Sequence, residues 1–356
     1  MEKMLCKVWK NRPLLIVLIV VLFYSNASYS TTKAGDELSR DLNRNPIIQN
    51  FIEQMVTKHK FDRKALVAMF DKVKTHPIII DKLNRPAESW PWYRYRKIFL
   101  KPLRIAQGVE FWEENEALLK KAESEFGVDA QVIVGILGVE TRYGRRTGDF
   151  RVVDALTTIT VDYPRRSKYF KKELMQLLLL AREEKIDPLS FTGSYAGAMG
   201  KAQFMPSSYR HYAVDFDKDG HRDLIDNTAD AIGSVASYLS RHGYQLGQAI
   251  AERAEVTDNN YKKYLAKGMK PKVKIADIGN FGVKTRAILP ASAKASLIEL
   301  EQKADGEQAK EYWLGMSNFY AITRYNHSNL YAMAVFQLSE EIKTKRKMRQ
   351  QQETIR

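Results

Sequence analysis

The sequence predicts a mainly α protein of the α+β class, carrying a small inserted β unit. Three observations lead there. Apolar residues recur three and four apart through most of the chain, as in IIQNFIEQMV and ALVAMFDKV. Between residues 270 and 301 the texture changes to short, alternating, β-branched runs separated by Gly and Pro. The 356 residues are 44% hydrophobic and 28% charged, enough for one large domain or a few small ones with real cores.

The N-terminus comes first. Lys3, Lys7, Lys10 and Arg12 precede the apolar run LLIVLIVVLFY at 14–24. SNASYS follows, with small residues at Ser25, Ala27, Ser28 and Ser30. This is the order of a secretory signal peptide, expected to be cut near Ala27 or Ser30; an uncleaved N-terminal anchor is the other reading. The run is short for a spanning helix, which needs roughly 20 apolar residues. Residues 1–30 are therefore set apart, and the chain is expected to be exported. Cys6 is the only cysteine. It precedes the apolar run, whereas a lipid-attachment cysteine would follow it, so neither a lipoprotein site nor a disulfide is expected.

Net charge is +15. That suggests an anionic partner: nucleic acid, a membrane face or an anionic polymer. Export argues against nucleic acid. A monomer is expected.

Residues 31–102 read as an N-terminal helical region, interrupted by a Pro-rich aromatic joint at 76–99. Residues 103–246 read as a helical core. Residues 247–310 read as the β insert, its strands being KVKIADIGN, FGVKTRAIL and ASLIELE. Residues 311–343 return to the core, with a helix at 331–342. The basic tail, 344–356, reads as a solvated helix end that frays; contact with an anionic cell-surface polymer is the alternative.

One residue stands out in the core. VIVGILGVETRYG, 132–144, is apolar or glycine until Glu140. Asp129 is the expected N-cap and Gly144 the expected stop. At 3.6 residues per turn, Glu140 shares a face with Val132, Ile133, Ile136, Leu137 and Tyr143. Such neighbours desolvate a carboxyl and oppose its charge. A carboxyl kept neutral near pH 7 can give a proton to a leaving oxygen. Gly135 and Gly138 leave room for another backbone or a substrate. A plain helix-end Glu paired with Arg142, Arg145 or Arg146 is the competing reading.

GILGVETRYGRRTG, DALTTIT, DYPRR, SYAGAMGKAQFMPSSYRHYAVDFDKDG, DAIGSVASYLSRHGY and ITRYNHS together resemble the membrane-bound lytic murein transglycosylase B family. These enzymes cut the glycan strands of bacterial peptidoglycan. The resemblance runs from about residue 90 to 338. It implies a lysozyme-like helical core with added α and β parts, a periplasmic location, peptidoglycan as partner, and Glu140 as the catalytic acid/base. Further residues carry over at matching positions. Ser194 and Gln203 fall where the family places polar groups beside the scissile bond and the N-acetyl group. Arg165 and Arg166 match the peptide-bearing side of the groove. Tyr95, Tyr238, Tyr325 and Asn326 match groove-lining positions. Read alone, Ser194 and Gln203 could cap turns, each Tyr could be core, and each Arg could be surface charge.

Most glycosidases use two carboxylates. The candidates for a second are Asp149, Asp154 and Asp162. Asp154 reads as a helix N-cap, and the other two as loop residues. The resemblance implies one acid/base and an intramolecular attack that leaves a 1,6-anhydro end. Lysozyme-type hydrolysis is the closest competitor, and a non-catalytic peptidoglycan-binding scaffold the next. GSYAG lacks the spacing of a serine-hydrolase elbow.

DFDKDGHRDLID, 215–226, fits the EF-hand loop template. Asp215, Asp217 and Asp219 take positions 1, 3 and 5, and Gly220 takes the sharp turn at 6. His221 offers its carbonyl at 7, Asp223 takes 9, and Asp226 takes 12 in place of the usual Glu. A structural Ca²⁺ is expected, bracing a disulfide-free exported chain. An acidic solvated turn is the alternative.

Overall fold

Several helices begin where the sequence supplies a cap or a proline. The side chain of Asn45 accepts from Ile47 N at 2.9 Å, with Pro46 at the first helical position, and opens α1 (Pro46–His59). Asp62 does the same for α2 (Arg63–Phe70). The computed structural model describes residues 41–354 apart from 86 and 305. The predicted signal segment, its cleavage point and Cys6 lie outside the described residues. No helix among the described residues is long and apolar enough to cross a membrane.

The joint at 76–99 is not irregular. It holds two short helices, α3 (Pro77–Leu83) and α4 (Trp92–Tyr95), with 3-10 turns after each. Its prolines start helices as well as stop them. Next come α5 (Pro102–Glu114), α6 (Glu116–Phe126) and α7 (Ala130–Thr141). Every residue of α7 is buried. A helix that is apolar all round belongs at a centre, and α7 is packed by α5, α6, α11 (Thr228–Arg241) and α14 (Asn329–Thr354). Gly135 lets α14 come close: a Cβ there would lie 3.0 Å from the Val335 carbonyl oxygen on α14.

A second helical layer is α8 (Val152–Asp162), α9 (Ser167–Glu184) and α10 (Pro206–Tyr212). The strands β1 (Phe150–Arg151) and β2 (Thr192–Gly193) pair antiparallel beside it. Asp154 is not the N-cap of α8; Arg151 holds that position. Asp154 sits in the first turn, buried, accepting from Arg151 Nε at 2.8 Å and from Lys74 N at 3.2 Å. It therefore ties the N-terminal helices to α8.

The remaining strands are β3 (Ala251–Val256), β4 (Val273–Lys274), β5 (Val283–Lys284), β6 (Lys294–Ala304) and β7 (Glu307–Gly315). They form one antiparallel sheet, ordered β4-β6-β7-β3-β5, that also carries the short helix α12 (Tyr261–Leu265). The β6–β7 hairpin pairs Ser296 with Gly315 and Ala304 with Glu307. The sheet has a small core of its own around Tyr264, Leu297 and Leu314. Two of the three anticipated strands shrink to two residues each, and KVKIADIGN mostly coils into a 3-10 turn. The β unit reaches Gly315 rather than 310, because β7 completes the hairpin. From there α13 (Ser317–Tyr325) leads back to α14. That last helix does not end near 342. It continues to Thr354, where Arg346 lies 5.0 Å from the Trp112 ring and 3.0 Å from Glu116 Oε1. The basic tail is pinned to α5 and α6.

Candidate active site and metal loop

The end of α7 positions Glu140. The helix stops at Thr141, one turn short of Gly144. Arg142 and Tyr143 both adopt left-handed backbone, with φ 55° and 62°. For non-glycine residues this costs roughly 1–2 kcal/mol each, and side chains hold the turn in place. Tyr143 donates to the Arg104 carbonyl at 2.9 Å, and Arg142 Nε donates to Gln107 Oε1 at 2.7 Å. Thr141 donates to the Lys201 carbonyl at 2.8 Å and accepts from Gly144 N at 2.9 Å. Tyr143 is thus turned onto α5, away from the face it was expected to share with Glu140. Asp129 does mark the start of α7 but makes no capping bond to it. Its carboxylate accepts from the Tyr244 hydroxyl at 2.8 Å, and Glu123 caps the helix instead through Ala130 N at 2.9 Å.

Glu140 is 7% exposed. Its Oε1 accepts from the Tyr331 hydroxyl at 2.6 Å. Burial first, and then the charge of Glu140, hold the hydroxyls of Tyr331 and Tyr325 well above the usual phenol range, so both stay neutral donors. The Tyr325 ring lies 6.4 Å from that of Tyr331, with 12° between the planes, and its hydroxyl donates to the Ala202 carbonyl. Tyr331 was not foreseen; a tyrosine on the apolar run YAMAVF reads as core.

Gln203 stands at φ 50°. Its Nε2 donates to the carbonyls of Thr147 and Gly200, each at 2.9 Å, while Oε1 is buried without a partner. A buried orphan acceptor costs roughly 1–3 kcal/mol; a ligand N–H would satisfy this one. Ser194 is fully buried, and its hydroxyl accepts from Ala198 N at 3.0 Å, so it does close a turn. Tyr95 is 0% exposed, packed on Phe99 at 5.2 Å and on Trp92 at 6.2 Å. It backs the site rather than lining an open face. Tyr238 donates to the Arg324 carbonyl and stands 4.8 Å from Tyr325. Asn326 is buried directly after α13. Arg165 is exposed, and Arg166 lies 5.7 Å from the rings of Tyr169 and Phe170. Among the candidates for a second carboxylate, Asp154 is committed to Arg151, and Asp149 sits exposed beside Lys82.

In the acidic loop, Gly220 makes the sharp turn at φ 95°. Asp215 accepts from Gly220 N at 2.9 Å and from Asp219 N at 3.1 Å. The carboxylates that converge among the described residues are Asp215, Asp217 and Asp230, with oxygens within 4.8 Å of one another. Asp219 turns to the His221 N–H instead, and Asp226 is exposed. So Asp230, in the first turn of α11, replaces Asp226 in the cluster. It was missed because it lies four residues past the template. Asp230 is fully buried and accepts from Phe216 N and Asp223 N, each at 2.7 Å. Burial, and then the charges of Asp217 and Asp215, push its carboxyl up against those two bonds. A hard divalent cation among three carboxylates would relieve that, and an all-oxygen donor set is the one calcium takes. The residues fit the ion.

A family model described as "Transglycosylase SLT domain" matches residues 43–340. The chain is similar to the membrane-bound lytic murein transglycosylase B of Escherichia coli (strain K12), 43% identical over 316 residues, covering 86% of this chain and 85% of that protein. Its fold is similar to that of lytic transglycosylase SltB1 from Pseudomonas aeruginosa, with TM-score 0.80 and 45% identity over 86% of this chain and 100% of that one. It is also similar to the calcium complex of Escherichia coli lytic transglycosylase Slt35, with TM-score 0.76 and 42% identity over 87% of this chain and 97% of that one.

Proposed function

The chain belongs to the SLT transglycosylase family, and on that premise we propose that it is a lytic transglycosylase cutting peptidoglycan between N-acetylmuramic acid and N-acetylglucosamine. The observation that carries the mechanism is Glu140, buried at the end of α7 and bonded to the Tyr331 hydroxyl. Burial opposes the charge on such a carboxyl, and the hydroxyl steadies it once the proton leaves. Glu140 gives its proton to the glycosidic oxygen. The substrate's own acetamido oxygen meets the positive charge developing at C1, and the orphan Oε1 of Gln203 accepts the acetamido N–H. Anionic Glu140 then takes the proton from the C6 hydroxyl of the same sugar, which closes on C1. The bond to the leaving sugar breaks, a 1,6-anhydro ring forms, and no water is consumed. An internal nucleophile gains from effective molarity.

Mass spectrometry of muramyl ends released from purified sacculi tests this. Ends one water lighter than free muramic acid are expected; ends of full mass would establish hydrolysis instead. Glu140→Gln is expected to lower the rate by about 10²–10⁴-fold, the usual weight of a positioned general acid. Full activity in that variant would remove Glu140 from the mechanism.

Asp215, Asp217 and Asp230 would hold a calcium ion, which supplies stability rather than chemistry. The protein works outside the cytoplasm as a monomer, on glycan strands whose anionic character suits a net charge of +15. The N-terminal helices, the helical core and the sheet are its working parts.

A further inference from the structure

The turn that follows Glu140 rests on a segment that also reaches the acidic loop. Thr141, next to the acid in sequence and 1% exposed, donates from Oγ1 to the Lys201 carbonyl at 2.8 Å. Lys201 N donates to the Leu224 carbonyl at 2.8 Å, and Lys201 Nζ donates to the Asp226 carbonyl. The stem of Lys201 lies along the turn itself: a Cβ at Gly144 would be 3.0 Å from Lys201 Cε. The other side is tighter still, since a Cβ at Gly200 would lie 2.1 Å from the Leu224 carbonyl oxygen.

From Asp226 the bonds continue. Asp226 N donates to Asp223 Oδ1 at 3.1 Å, and Asp223 N donates to Asp230 Oδ2 at 2.7 Å. Asp230 is the buried member of the carboxylate cluster. An unbroken series of hydrogen bonds therefore runs from that cluster to the residue beside the acid. Lys201 supplies two of its links, one from the carbonyl and one from the ammonium. It is half-buried, and the ammonium is bonded to a carbonyl rather than to a carboxylate.

We propose that Lys201 is a positioning residue for Glu140 and joins it to the acidic loop, so that a change in the loop reaches the acid. The proposal rests on the reading of Glu140 as the acid. Lys201 acts through Thr141, which fixes the end of α7 and with it the direction in which Glu140 meets the Tyr331 hydroxyl. Packed and hydrogen-bonded groups pass on a displacement that a solvated loop would absorb. Misplacing a reacting group by about 1 Å costs about a hundredfold in rate.

Carbon-13 NMR of protein labelled at the glutamate Cδ tests this, with Glu140→Gln identifying the resonance. Lys201→Met keeps the stem over Gly144 and loses the ammonium. The Tyr331 bond then slackens and a positive charge leaves the network. Both changes favour the neutral acid, so the Glu140 midpoint should rise by about one pH unit, a tenfold change in proton affinity. On soluble strands kcat should fall about tenfold with KM unchanged, and Lys201→Arg should recover most of both. Asp230→Asn should also raise the midpoint, and should add nothing once Lys201→Met is present. An unmoved midpoint in Lys201→Met overturns the proposal, even with a lowered Tm, because a plain brace would do no more. An Asp230→Asn effect of the same size with and without Lys201 overturns it too. If Lys201→Met does not fold, Thr141→Val cuts the series at its other end, and an unmoved midpoint there is decisive. Full activity of Glu140→Gln would instead remove the reading of the acid; the midpoints are read without turnover and stand apart from that assay.

Discussion

A carboxyl that serves as an acid must recover its charge cheaply after the proton has gone. In the proposed mechanism the Tyr331 hydroxyl serves that need for Glu140, since it would stabilise the anion it donates to. In Tyr331→Phe the anionic form loses a donor, so the alkaline fall in kcat/KM should move to higher pH while kcat drops. Stopped assays on soluble strands across pH would read both, and an unmoved profile would mean the bond does not act on the reacting carboxyl. The burial of Glu140 was legible in the sequence because a charge on a helix without a polar face violates the pattern around it. Tyr331 was not, because a hydroxyl on an apolar helix looks like any core tyrosine until its partner, 191 positions away, is known. Gln203 was found only through resemblance; nothing local announces a left-handed backbone at a glutamine.

Elements were read well where the period is long and less well where pairing sets the boundary. The apolar face of α1 and the all-apolar α7 are written in three-and-four spacing. Edge strands of two residues carry no period at all, and β7 exists because it pairs with β3 on one side and with β6 on the other. The helix α10 shows a different dependence. Its first turn is satisfied from outside, by buried Glu173 accepting from Ser207 N at 2.9 Å and Ser207 Oγ at 2.8 Å. Glu173→Ala should cost about 1–3 kcal/mol by stranding those donors, whereas Glu173→Gln keeps an acceptor and should cost less. Burial holds the Glu173 carboxyl above the usual range, against the pull of the Ser207 bonds. A raised folded-state carboxyl binds a proton that the unfolded chain has released. Its contribution to stability therefore falls as pH rises from the ordinary carboxyl range through the folded value. Chemical denaturation at several pH values should show a flatter slope in Glu173→Gln than in wild type.

Across the whole molecule, long-range ties take the place of disulfides. Asp154 joins α8 to the N-terminal segment, and Arg346 and Arg349 fasten the last helix to Glu116 and Glu113 at 3.0 Å each. In the proposed reading the acidic loop adds a tie that depends on an ion. Excess chelator should lower Tm, since calcium at a hundredfold excess over Kd contributes about 2.7 kcal/mol to a protein that binds it only when folded. Asp230→Asn should lower Tm in calcium and blunt the response to chelator; an unchanged Tm in chelator would leave the loop a solvated turn. The sequence located this loop but missed its third carboxylate, because the chain brings Asp230 back from a helix that the twelve-residue template does not include.

That helix has two ends. Asp230 occupies the first turn of α11, and Tyr238, eight residues on and about 12 Å along the axis, lines the cleft beside Tyr325. A stiff rod anchored at the acidic loop carries the aromatic surface against which a sugar would rest. In the proposed reading, any loosening at the anchored end would tilt that surface, so an ion held there would bear on the grip on a glycan as well as on melting.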